Sequence, residues 1–86
     1  MRIVFTPSAW NDYIWFQDND RKLLRRINLL IQDATREPFG GIGKPEPLKA
    51  DLSGYWSRRV DERHRLIYAV AADELIIVAC RFHYDE

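Results

Sequence analysis

Two hydrophobic periods divide this chain, and together they leave it few folds to choose from. Leu23, Leu24, Ile27, Leu30, Ile31 and Ala34 recur at helical spacing, which marks a helix with one buried stripe. Further on, Leu66, Tyr68 and Val70 alternate toward one face, joined by Ile76, Val78, Cys80 and Phe82, which marks strands covered on one side. Helices first and strands afterwards predict an α+β fold: two N-terminal helices packed on one face of a small twisted antiparallel sheet. With 86 residues, residues 1–86 form a single domain with room for one sheet and one helical layer. A hydrophobic content of 47% argues for a folded globule rather than a disordered chain.

The punctuation supports this division. Arg2–Phe5 reads as a short strand, Thr6 as a helix cap and Pro7 as a first helical residue, where its missing N–H costs nothing. The first helix is expected from Pro7 to about Asp18, with Trp10, Tyr13, Ile14 and Gln17 on one face and Trp15 and Phe16 beside them. That aromatic load is read as packing on the sheet. Asp20 caps a second helix that ends near Arg36. Leu52 reads as a short strand position, with main strands over 55–61, 65–71 and 75–82 and turns at Glu62-Arg63-His64 and Ala72-Asp73, giving an antiparallel meander. His64, beside its turn, is given no role.

Charge and cysteine exclude several classes of function. Formal net charge is zero, but from Arg21 to Arg65 eleven Lys/Arg stand against six Asp/Glu, so a neutral chain can still carry a basic groove. Arginine, suited to bidentate phosphate contacts, makes up ten of the thirteen basic residues. Cys80 is the one cysteine, sits in an apolar run and reads as a core residue, which rules out an intramolecular disulfide. The apolar run Leu75–Cys80 is far too short to span a bilayer, and Thr6-Pro7-Ser8 interrupts any signal-peptide pattern, so a cytosolic protein without a membrane partner is expected. Two histidines without zinc spacing argue against a metal site, and no cofactor is implied.

The long loop 37–49 holds three of the four prolines. Gly40-Gly41-Ile42-Gly43-Lys44 lacks the spacer, the Ser/Thr and the preceding strand of a phosphate loop. Within Gly43-Lys44-Pro45-Glu46-Pro47-Leu48-Lys49, two prolines restrict a single carboxylate from both sides, as befits a group that must be aimed. Strand alternation then puts Arg59, Arg65, Arg81 and His83 on the sheet face that the helices leave open, beside a mobile loop carrying Glu46 and Lys49. A carboxylate, arginines and a histidine around one surface suit metal-free RNA cleavage: the base takes the ribose 2′ proton, the acid protonates the leaving 5′ oxygen, and arginines stabilise the charged phosphorus centre.

Pro38-Phe39-Gly40, Gly43-Lys44-Pro45-Glu46-Pro47-Leu48-Lys49, Leu52-Ser53-Gly54, Trp56-Ser57-Arg58-Arg59, His64-Arg65-Leu66, Tyr68-Ala69-Val70 and Cys80-Arg81-Phe82-His83-Tyr84 together resemble the Txe/YoeB family of bacterial toxins, over essentially the whole chain. The resemblance implies a microbial-ribonuclease-like, RelE-like fold and a toxin of a type II toxin–antitoxin system that cleaves mRNA in the ribosomal A site and so inhibits translation. It implies a homodimer neutralised by a cognate YefM-type antitoxin. Carried over by position, Glu46 would be the general base, His83 the general acid and Arg65 the transition-state stabiliser, while Lys49, Arg59 and Tyr84 would bind substrate. The family pattern usually stops at His-Tyr, whereas here Asp85-Glu86 follows. Two alternatives remain on the same residues: a ribosome-binding translation inhibitor without catalysis, and a RelE/ParE-fold toxin with another target such as gyrase.

Overall fold

The computed structural model describes residues 1–82. Five strands form one sheet: β1 (Arg2–Phe5), β2 (Glu46–Pro47), β3 (Trp56–Arg59), β4 (Arg65–Ala71) and β5 (Glu74–Ala79), in the spatial order β1-β5-β4-β3-β2. Helices α1 (Pro7–Asn19) and α2 (Arg21–Arg36) pack on one face of it, as the two hydrophobic periods require. The run β3–β4–β5 is the expected antiparallel meander, but β1 pairs parallel to β5, so the sheet is mixed. A parallel neighbour needs a crossover, which here runs through both helices and then back across β2, β3 and β4.

Both helix starts follow from their caps. Thr6 Oγ1 accepts the N–H of Ala9 at 3.1 Å, and Asp20 Oδ1 accepts that of Leu23 at 3.1 Å. Asp20 also ends α1, donating its own N–H to the Phe16 carbonyl at 2.8 Å, so one residue makes the corner between the helices. The stripe on α2 is buried as expected through Ile27, Leu30, Ile31 and Ala34. On α1 the buried residues are Ala9 and Phe16, while Trp10 stays half exposed, stacked on Tyr13 at 5.6 Å between ring centroids. The expected packing face of α1 is therefore rotated: a small residue, rather than the largest aromatic, permits the close approach to β5.

One bulge explains a second departure. Ile67 pairs with Ala79 but Tyr68 pairs with Ile77, so Val78 is an extra residue in β5. Alternation read backwards from Cys80 is correct for Cys80, which is fully buried, and one residue out of phase before the bulge. The core residues of β5 are consequently Leu75 and Ile77, where Ile76 and Val78 were expected. Leu52 closes a 3-10 turn over Ala50–Leu52, and the additional short strand is Glu46–Pro47 instead. As an edge strand it tolerates the proline, whose missing N–H removes no ladder bond.

Candidate active site

The register brings Glu46 and the arginines to one surface. Glu46 pairs with Ser57, Ser57 with Ile67 and Ile67 with Ala79, a row across four strands whose side chains point the same way. Two residues further along β3 and back along β4, Arg59 pairs with Arg65 on that face. It is the face opposite the helices: Leu66 and Tyr68, the alternate residues of β4, belong to the helix-covered core. Ser57, Ile67 and Ala79 are buried and make a small, largely apolar floor, with Glu46 exposed at one end of the row and Arg59 exposed beyond it. Strand spacing sets the Cα atoms of Glu46 and Arg65 roughly 12 Å apart, a gap that the two long side chains can close around one phosphodiester.

Backbone carbonyls orient the Arg65 guanidinium. Its Nη1 donates to the backbone carbonyls of Asp61 at 2.7 Å and His64 at 3.1 Å. Among the described residues its Nε and Nη2 make no hydrogen bond, and neither Arg59 nor Glu46 forms an ion pair. Lys49 is exposed three residues beyond Glu46, at the start of the 3-10 turn rather than in the row with Glu46 and Arg65. His83 and Tyr84 lie outside the described residues, as do Asp85 and Glu86. The chain leading to them does not: the N–H of Arg65 donates to the Phe82 carbonyl at 2.9 Å, which brings the residue before His83 against the arginine pair.

Arg81 is not on the open face, contrary to the alternation. β5 ends at Ala79, and beyond it the Arg81 guanidinium lies 3.7 Å from the centre of the Trp15 ring on α1. The loop preceding Glu46 is tied to the core by hydrogen bonds. Arg58, fully buried, donates all five of its N–H groups: Nε to the Tyr68 hydroxyl (2.9 Å), Nη1 to Asp33 Oδ2 (2.7 Å) and the Ile42 carbonyl (3.0 Å), and Nη2 to the carbonyls of Glu37 and Gly40 (both 2.7 Å). Asp33 also accepts the Ile42 N–H at 2.9 Å and pairs with Arg36; the Ile42 bond, ahead of Arg58, holds its carboxyl below the usual range. Tyr68 completes the clamp by donating to the Pro38 carbonyl at 2.7 Å, and burial pushes its phenol up.

Glycine is required where this loop crosses α2. A Cβ on Gly41, at φ +100°, would collide with Asp33 Oδ2, and one on Gly43, at φ +82°, would lie 2.6 Å from Leu30 Cδ2. The Gly43 carbonyl then accepts the Arg59 N–H at 2.7 Å, and three residues later Glu46 enters the sheet. The alternation that puts Arg59 on the open face puts Arg58 on the covered one, a consequence the sequence reading left unused. What that position demands was missed, since a buried arginine needs an acid and carbonyls around it. His64 was missed too: the alternation that turns Arg65 outward turns His64 inward, where a polar ring requires a partner.

Burial pushes the Cys80 thiol up to about 12, as suits a core residue rather than a nucleophile. Among the described residues, no three His, Cys, Asp or Glu side chains are grouped to hold a metal ion, and no helix is long and apolar enough to cross a membrane.

The same sequence pattern recurs in proteins of known class. The chain is similar to the toxin YoeB of Synechocystis, with 64% identity over 99% of both chains. Its structure superposes on a YoeB/ParE toxin from Agrobacterium tumefaciens with a TM-score of 0.95, at 49% identity and over 98% of this chain and all of that one. YoeB of Staphylococcus aureus, solved both as a dimer and as a heterotetrameric YoeB-YefM toxin-antitoxin complex, is 45% identical in each case over 98% of both chains, with TM-scores of 0.90 and 0.89. Residues 5–84 match the family described as YoeB-like toxin of bacterial type II toxin-antitoxin system. With sequence and fold in agreement over nearly the whole chain, this chain belongs to the YoeB family of type II toxins.

Proposed function

We propose that this toxin is a ribosome-dependent endoribonuclease that cleaves mRNA in the ribosomal A site and thereby inhibits translation. The observation that carries the reading is the shared register: Glu46, Arg59 and Arg65 lie on the sheet face opposite the helices, and Phe82, the residue before His83, is hydrogen-bonded to Arg65. In this reading Glu46 takes the proton from a ribose 2′-OH, and the 2′ oxygen attacks the adjacent phosphorus. The bond from phosphorus to the 5′ oxygen breaks as His83 protonates that oxygen. The products are a 2′,3′-cyclic phosphate and a 5′-hydroxyl. Arg65 neutralises the extra charge on the phosphoryl oxygens, and Lys49, Arg59 and Tyr84 hold the neighbouring nucleotides.

The likeness to the Staphylococcus aureus assemblies supports a homodimer neutralised by a YefM-type antitoxin. An acidic antitoxin segment covering Arg59 and Arg65 would switch the site off directly.

The test is to incubate the purified toxin with translating ribosomes and map the mRNA ends. Cleavage with cyclic-phosphate ends is expected, falling at least ~100-fold in Glu46→Ala and His83→Gln. Arrest of translation with intact mRNA, untouched by Glu46→Ala, would instead identify an inhibitor that acts by occupying the ribosome.

A further inference from the structure

His64 is buried at 5% exposure, and its backbone is fixed by the turn that carries it. Its N–H donates to Asp61 Oδ1 at 2.7 Å, and its carbonyl accepts the Val60 N–H at 3.0 Å. The ring meets Phe16 of α1 edge-on, 5.1 Å between centroids, and its Nδ1 accepts the N–H of Phe82 at 2.8 Å. An imidazole that accepts at Nδ1 carries its one proton on Nε2 and is neutral; a second proton would set N–H against N–H.

Phe82 needs such a partner. Its φ of +62° lies in the left-handed region, which an aromatic side chain seldom occupies unless the surroundings hold it there. Both of its backbone groups are held, the N–H by His64 and the carbonyl by the Arg65 N–H at 2.9 Å. Just before it, the Cys80 N–H is held by Asp12 Oδ2 at 3.1 Å. The segment Cys80–Phe82, which leaves the sheet after β5, is therefore fixed by side chains from α1 and from the β3–β4 turn.

We propose that His64 is a positioning residue whose neutral ring, acting as a hydrogen-bond acceptor, fixes Phe82 and with it the path by which the chain delivers His83, and that protonation of the ring releases this anchor. The proposal rests on the reading of His83 as the general acid. The charged groups around the ring are Asp20 at the start of α2, Asp61 and Arg63 in its own turn, and Arg81 from the C-terminal side. Burial is the largest influence on the ring and disfavours its charged form; Arg63 and Arg81 act in the same sense, against the two acids.

Full-length wild type, His64→Asn and His64→Leu separate the anchor from ordinary packing. Asn places an oxygen where Nδ1 stood, and Leu fills the space without an acceptor. Three readouts are needed: the ¹⁵N shift of His64 Nδ1, hydrogen exchange of the Phe82 amide against pH, and single-turnover mRNA cleavage on ribosomes. Wild type should show an unprotonated Nδ1 and a protected Phe82 amide that loses protection as His64 titrates. His64→Asn should keep that protection at all pH values and cleave within about threefold of wild type. His64→Leu should lose it, with cleavage down roughly ten- to a hundredfold and little change in ribosome affinity. A protonated Nδ1 in wild type, or a Leu variant that keeps both protection and rate, overturns the proposal. Should none of the three proteins cut RNA while protection follows the expected pattern, the nuclease reading fails and the anchoring contact is upheld.

Discussion

The segment that carries Glu46 and the segment that precedes His83 are both held by side chains from the helix-covered side, but by opposite chemistry. The segment 37–46 is gripped by a permanent charge: the Arg58 guanidinium spends every N–H on it, on Asp33 and on Tyr68. The segment Cys80–Phe82 is gripped by groups of which one, the His64 ring, works only while uncharged. Asp33, the one acid in the first grip, is held below its ordinary value, so that grip persists through the neutral and mildly acid range. The second responds to conditions. Glu46 is thereby presented by a fixed mount, and the last described residue before His83 by an adjustable one.

The largest expected effect comes from breaking the fixed mount. Arg58→Met leaves the Asp33 carboxylate and the carbonyls of Glu37, Gly40 and Ile42 without their donor, and should lower Tm by on the order of 10 °C or more in a calorimetric scan. Arg59→Met, one residue on and exposed, should shift Tm by only a few degrees while weakening cleavage and antitoxin binding. Equal losses of Tm in the two variants would mean that the clamp is not the structural device described.

A smaller effect should separate the mounts by pH. The folded state disfavours a charged His64, so the unfolded chain binds more protons below its ordinary value of 6.5; stability is full above that pH and declines as pH falls below it. Asp33 is also held below its ordinary value of 3.8, so its contribution persists above that pH and is lost only on further acidification. Denaturant titrations at stepped pH should show two separate declines, the upper one missing in His64→Asn. A single decline near 3.8 would remove the distinction.

The smallest effect belongs to the prolines. Pro45→Gly and Pro47→Gly should each cost ~0.4–1 kcal/mol, mainly by loosening the unfolded chain. Because β2 pairing and the Arg58 clamp share the task of aiming Glu46, cleavage should fall by a modest factor, though still by more than the stability change accounts for. A cleavage rate that collapses as in Glu46→Ala would move the aiming function from the clamp to the prolines.

These contrasts also show what was legible in the chain. Caps, helix limits and the buried stripe of α2 were readable because they depend on neighbours three or four residues apart. The shared face of Arg59 and Arg65 was readable because alternation fixes a face once a strand is located, whereas Glu46 stood out by its flanking prolines and its strand β2 was not expected. The parallel pairing of β1, the bulge at Val78 and the stacking of Arg81 on Trp15 were not, since each is decided by residues distant in sequence. Arg58 and His64 fall between. Each adjoins a residue that alternation turns outward, Arg59 or Arg65, but their partners lie in a loop and in the C-terminal segment, where no period operates.

The parallel partner of β1 carries one more consequence. Arg2 aligns with Glu74 and Phe5 with Ile77, so the first strand finds its neighbour only after almost the whole chain exists. Contacts of such long sequence separation slow folding, because the loop they close must be ordered before they form. During synthesis the strand β5 that both β1 and β4 need emerges among the last residues, and the arginine face acquires its Phe82 contact later still. The arginine face is therefore completed only after β5 and the segment that follows it have been made. Arrested nascent chains ending before β5 should therefore be protease-sensitive throughout, including the two helices that were made first.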